Sequence, residues 1–172
     1  MVTSLPEDIL SIRRDTVERF GEQEWDKSVL TNLVHGHLGI YSIIGVKMGL
    51  WAMELLEAPG HPSVSIISFA GNVPPVSCMN DGLQVSTGST LGRGLIEVSS
   101  DTPVRPEAQF TYAGNTVRLS LKPEFSKQIE ADIKLARERF GQAPEYWQSV
   151  RETALRYWST WDRHQIFTLS KP

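Results

Sequence analysis

The residues best suited to chemistry are His35 and His37, one residue apart, and Cys78, the chain's only cysteine, which stands with Asp81 before a Thr/Gly/Ser-rich stretch. Two imidazoles and a thiolate make a donor set that suits zinc, and three protein ligands leave a fourth position open, as catalytic zinc sites do. In an extended segment His35 and His37 would point to one side, because strand side chains alternate with a period of two. If a helix begins just after them, its amide groups and dipole keep both rings neutral and able to ligate, and favour a Cys78 thiolate brought to the same place. The plainer reading is that the histidines are surface residues at a helix end and the thiol is buried and inert. Asp81 has three readings: the partner that orients a ligating histidine, a general base, or a carboxylate marking a helix start.

Thr87-Gly88-Ser89-Thr90-Leu91-Gly92-Arg93-Gly94 adds a candidate cradle for an anion. It lacks the Gly-Lys-[Ser/Thr] ending of a P-loop, so a tight turn is the simpler reading. Gln84, Thr87 and Thr90 would be the orienting hydrogen-bond donors to a small molecule there. Of the other histidines, His61 follows Pro59-Gly60 in a predicted turn and His164 lies in a polar tail, so no Ser/His/Asp signature forms.

Several elements must position these residues. Ser4 and Pro6 open a helix over about 5–20, with Ile9, Ile12, Val17 and Phe20 at helical spacing. Residues 21–34 are polar with scattered anchors at Trp25, Leu30 and Leu33, and support only a short helical turn. From Leu38 to Glu57 apolar residues cover most of the circumference, which predicts a helix buried on nearly all sides, ended by Pro59-Gly60. Within it Ser42, Gly45, Gly49 and Ala52 form a stripe of small residues. A helical glycine costs about 1 kcal/mol against alanine, so this stripe implies a close approach by another helix, a sheet or a second copy of the chain.

Alternation predicts a strand over 63–69, then a helix over 79–87 closed by Gly88 and a strand over 95–98, a βαβ-like passage. Gly114-Asn115 between alternating arms predicts a hairpin of 108–112 and 116–121. Pro123 and Pro144 open two amphipathic helices, the second carrying Trp147, Val150, Ala154, Trp158 and Trp161 on one stripe, and 166–169 adds an edge strand. The sum is an α+β fold: a single domain over 1–172 with a mixed or antiparallel sheet, a buried central helix and peripheral C-terminal helices.

A chain of 172 residues buries roughly 70% of its unfolded surface and needs no staple. Its net charge is −3 with no basic cluster, which argues against a nucleic-acid partner. One cysteine forms no internal disulfide, and the segment from Met1 to Asp8 has no signal-peptide pattern, so a reducing cytoplasm is the expected address. Lys47, Glu54 and three glycines interrupt the longest apolar run, so no membrane span is expected.

Taken together, His35-Gly36-His37-Leu38, Met48-Gly49-Leu50-Trp51-Ala52-Met53-Glu54-Leu55-Leu56 and the segment from Cys78-Met79-Asn80-Asp81-Gly82-Leu83-Gln84 to Gly94 resemble, in order and spacing, the FmdE family, named for formylmethanofuran dehydrogenase, over about residues 30–121. The resemblance implies an α+β core, a homodimer, and a metal at the His/Cys site. It carries His35, His37 and Cys78 onto ligand positions and Asp81, Gln84, Thr87, Gly88, Thr90, Gly92 and Gly94 onto further pattern positions. Zinc is favoured for an N/S site, with nickel or iron as alternatives. Some members carry a C-terminal zinc finger, whereas this chain has a helical extension over 122–172 with no cysteine. The family usually has cysteine where this chain has Gly39 and Ser89, and fewer soft ligands make the site harder and more open.

Two functions are therefore expected as alternatives. One is a metal-binding protein acting on or binding a small molecule at the open site, with Asp81 and Cys78 as catalytic residues, Asp81 the proton acceptor, and a dimer formed partly through the small-residue stripe. The other is a non-catalytic accessory or chaperone-like module for a metalloenzyme, offering its tryptophan-rich C-terminal segment as an interface.

Overall fold

The computed structural model of the chain describes residues 4–59 and 63–170, so the predicted turn with Gly60, His61 and Pro62 lies outside the described residues. In chain order the elements are α1 (Glu7–Phe20), α2 (Glu22–His35), α3 (Ile40–Leu55), β1 (Ser65–Ser68), α4 (Met79–Thr87), β2 (Ile96–Val98), β3 (Glu107–Tyr112), β4 (Asn115–Leu121), α5 (Pro123–Phe140), α6 (Pro144–Thr160) and β5 (Phe167–Ser170). The strands form one mixed sheet in the order β2-β1-β3-β4-β5. Only β1 and β2 are parallel, and α4 lies between them in sequence, which is the expected βαβ passage. The fold is α+β.

The hairpin forms with its turn one residue earlier than predicted. Tyr112 pairs with Asn115, so Ala113-Gly114 is the two-residue turn, and both residues have positive φ. That matches the right-handed strand twist, as hairpin turns of the primed types do. β5 closes the opposite edge against β4, as expected.

The largest departure is α2. The sequence predicts one short turn, whereas the structure has a full helix whose buried residues are Glu24, Trp25, Ser28, Thr31 and Asn32. Their spacing is helical, but four of the five are polar, so hydropathy conceals the period. The expected Ser4 cap does not form either: Pro6 occupies the N-cap of α1, with no side-chain cap bond.

The central helix α3 is buried as predicted, from Ile40 through Leu50 without interruption. Its one cation, Lys47, is fully buried; the ammonium donates to Glu24 of α2 and to the Trp158 carbonyl at 3.1 Å, and lies 4.2 Å above the Phe20 ring. Burial pushes the Lys47 ammonium down and the Glu24 carboxylate opposes it. Glu24 also accepts from Arg163 at 3.0 Å, and Arg163 reaches Glu54 at 2.7 Å. Losing either partner of the buried pair alone would leave an uncompensated charge, at a cost of about 3–5 kcal/mol.

The C-terminal helices lie outermost, yet α6 contributes to the core: Trp158 is fully buried and stacks on Trp25 at 4.8 Å, while Trp147 at its other end is 64% exposed. Among the described residues no helix is long and apolar enough to cross a membrane.

The small-residue stripe faces inward, which corrects the expectation that it serves a dimer. A β-carbon on Gly45 would lie 2.1 Å from the Met79 carbonyl oxygen, and one on Gly49 2.0 Å from Ser86 Oγ, both in α4 of the same chain. Ala52 is fully buried. Two effects oppose each other in Gly45→Ala: helix propensity favours alanine by about 1 kcal/mol, while the clash is with backbone that has no rotamer to escape into. Overpacking of this kind costs about 1–3 kcal/mol or more. Urea denaturation of Gly45→Ala is expected to show net destabilisation of at least about 1 kcal/mol; a gain in stability would mean that α3 and α4 are not in backbone contact.

Candidate functional site

His35 is the last residue of α2, and Gly36 caps that helix in the left-handed conformation, φ 86°, before His37 and the start of α3 at Ile40. The expectation of extended backbone through His35, with both rings at a helix N-terminus, is thus corrected for His35: it sits at the C-terminal end of a helix, because α2 runs its full length. A glycine at this capping position meets the need for positive φ. The reversal at Gly36 still brings the two rings together, with centroids 4.4 Å apart.

Asp81, in the first turn of α4, faces His35, and its Oδ2 lies 2.6 Å from His35 Nδ1. The His35 side chain is only 10% exposed. In the neutral ring, a carboxylate at Nδ1 holds the proton there as an N–H donor, leaving the lone pair on Nε2. That Nε2 is buried and has no hydrogen-bond partner among the described residues. Beside it is Gly39: a β-carbon at position 39 would stand 3.2 Å from Nε2 and 3.0 Å from Ser42 Oγ. The His37 ring is mostly exposed, and partial burial followed by the charge of His35 pushes its pKa down, so it favours the neutral form.

Cys78 ends a 3-10 turn and occupies the N-cap of α4, half-buried with a free thiol. Burial and then the Asp81 charge push that thiol up, so the expected helix-stabilised thiolate is not its resting form. His35, His37 and Asp81 are thus brought together, and Cys78 joins them through its electrostatic contact with Asp81. As placed, no group of three or more His, Cys, Asp or Glu side chains among the described residues is arranged to hold an ion.

The other predicted site residues lie further along. Asp81 and Thr87 are six residues apart in one helix, roughly 9 Å along its axis, so one small ligand atom would not bond both. Thr87 is buried, its hydroxyl donating to the Leu83 carbonyl and accepting from the Ser89 N–H. Gln84 Oε1 accepts the Leu91 N–H at 2.8 Å, and the Thr90 carbonyl accepts from the backbone N–H groups of Arg93 and Leu95. The stretch 87–94 satisfies itself as a tight turn rather than an anion cradle. Ser89 is fully buried and donates to the Val64 carbonyl, so of the two positions where the family usually has cysteine, Gly39 is the one that borders His35.

A cavity of about 480 Å³ opens beside His37, lined by Leu38, Pro144, Trp147, Gln148, Val150 and Arg151. Sequence reasoning missed α6 as a wall of the site and missed Asn32, one helical turn before His35; the i, i+3 relation on one helix would have linked Asn32 to His35 had α2 been recognised.

Comparison with known proteins gives a family and a fold. The family model "FmdE, Molybdenum formylmethanofuran dehydrogenase operon" matches residues 34–168. The crystal structure of an FmdE-like protein of tungsten formylmethanofuran dehydrogenase from Syntrophus aciditrophicus is similar at 18% identity and a TM-score of 0.51, covering 87% of this chain and 71% of that one. No curated protein matches the chain.

The state of Cys78 is directly testable. Its iodoacetamide reaction rate is expected to keep rising through pH 9, the ordinary thiol value being 9.0, because the thiolate is the nucleophile. Asp81→Asn removes the opposing charge and is expected to move the profile to lower pH. An inflection well below 9 in the wild type would restore the thiolate.

Proposed function

The chain belongs to the FmdE family, and we propose that it is a metal-binding member whose open site is organised around His35, with His37 and Cys78 as further ligands. The observation that carries this reading is the His35 ring itself: Asp81 at Nδ1, and a buried Nε2 without a partner among the described residues. A carboxylate on the far nitrogen is the usual support of a ligating histidine, fixing its tautomer and raising its basicity. Asp81 thereby orients His35 instead of acting as a free base. Its side chain keeps contact with solvent, at 36% exposure.

The donor types fit zinc, nickel or iron, and Cys78 would give up its proton on coordination, since thiolate is the ligating form. The donors are not grouped as placed, so this reading requires His37, which is exposed, and Cys78, which is half-buried, to turn toward His35. A divalent ion held there would supply Lewis acidity to a small molecule in its open position. The cavity beside His37 gives such a molecule room. The reading keeps the homodimer and a cytoplasmic setting, in which a lone thiol stays reduced.

The alternative, an accessory module presenting tryptophans to a metalloenzyme, has less support, because Trp25 and Trp158 are spent on the core and Trp147 is the strongly exposed indole. Metal titration separates the two. Protein purified without chelator or nickel resin is expected to bind about one zinc per chain, with His35→Ala and Cys78→Ala retaining less than about a tenth of an equivalent. Asp81→Asn should weaken binding by roughly 10–100-fold, and Gly39→Cys, which sets a thiol beside Nε2, should tighten it. Unchanged affinity in His35→Ala and Asp81→Asn would remove the basis of the reading.

A further inference from the structure

Asn32 presents an anomaly that the metal reading does not use. It is only 9% exposed, yet neither its amide nitrogen nor its carbonyl oxygen has a partner among the described residues. Buried polar side-chain atoms are paired in the large majority of cases, and each exception calls for a partner such as water or a ligand. Asn32 lines a cavity of about 160 Å³ whose other walls include Pro6, Ile9, Val29, Leu33 and Leu38. This space adjoins the larger cavity beside His37, the two sharing His37, Leu38 and Arg151.

Three properties define what would fill it. A cavity of about 150 Å³ holds benzene, so the inner space takes one ring, with room for a second ring or substituent in the outer one. The walls are apolar, and the one cation, Arg151, is already committed to Asp8 through hydrogen bonds of 2.5 and 2.9 Å, which favours an uncharged ligand. The carboxamide of Asn32 offers a donor and an acceptor side by side, the complement of a lactam edge in which an N–H neighbours a C=O. At the outer end Trp147 exposes a flat aromatic face, a surface on which a planar group stacks.

We propose that the cavity between α1, α2 and α6 binds the ring of an uncharged planar heterocycle bearing a lactam edge, read by Asn32 and covered at its outer end by Trp147. The site requires no metal and stands independently of the donor set at His35.

Saturation-transfer NMR in the presence of EDTA tests this with two matched pairs: uracil against pyrimidine, and hypoxanthine against purine. Saturation transfer is expected from a lactam ring and not from its counterpart. Asn32→Leu, which removes the unpaired amide at nearly constant volume, should keep or raise Tm while weakening lactam binding by about tenfold or more. Trp147→Ala, at an exposed position that leaves the core intact, should weaken it as well. Binding of neither lactam, equal binding of the matched rings, or undiminished binding in Asn32→Leu would overturn the proposal, and the last two would leave Asn32 paired with water only.

Discussion

The backbone contact between α3 and α4 is the constraint on which the rest of the structure depends. It is reciprocal: a β-carbon on Gly45 would meet the Met79 carbonyl, and one on Gly82 would lie 2.1 Å from the Ser42 carbonyl and 2.6 Å from the Val46 nitrogen. Glycines in register lower helix propensity by about 1 kcal/mol each, and close packing of two buried helices offsets that loss. Because α3 is buried on nearly all sides, α4 has no freedom to slide or tilt. Its N-terminal turn, carrying Cys78 and Asp81, is therefore held beside the segment that enters α3.

The second half of the site comes from α2, which is anchored at both ends. Near its start Glu24 meets the buried Lys47 of α3, and at its end His35 meets Asp81 of α4. A buried ion pair adds little stability in itself, since desolvation offsets much of the attraction. It does penalise alternatives: rotating α2 by one residue would leave Lys47 and Glu24 without each other. The polar buried face of α2 thus fixes its rotation, and that rotation points His35 inward and Asn32 toward the neighbouring cavity.

Elements specified by local patterns were legible in the sequence. The apolar circumference of α3, the βαβ passage through α4 and the hairpin arms all appear where alternation and glycine placement put them, with the turn displaced by one residue. The proximity of His35, His37 and Asp81 was also legible, although for a partly wrong reason, since the rings meet through a helix C-cap and not along an extended segment. What hydropathy hid was α2, because its inward residues are polar and find their partners on elements distant in sequence, Glu24 on Lys47 and Arg163 above all. The same distance concealed the inward direction of the small-residue stripe, and concealed that Ser89 secures the Val64 backbone instead of bordering the histidines.

The central claim is that Asp81 holds His35 with its proton on Nδ1 and its Nε2 bare. Nitrogen-15 NMR of the imidazole side chains reads this directly in the metal-free protein. The account predicts a neutral His35 in a single Nδ1–H tautomer, its Nε2 resonance at the position of an unprotonated nitrogen, with that preference lost in Asp81→Asn. An Nε2–H tautomer in the wild type, or rapid averaging of the two forms as in a free imidazole, would contradict it.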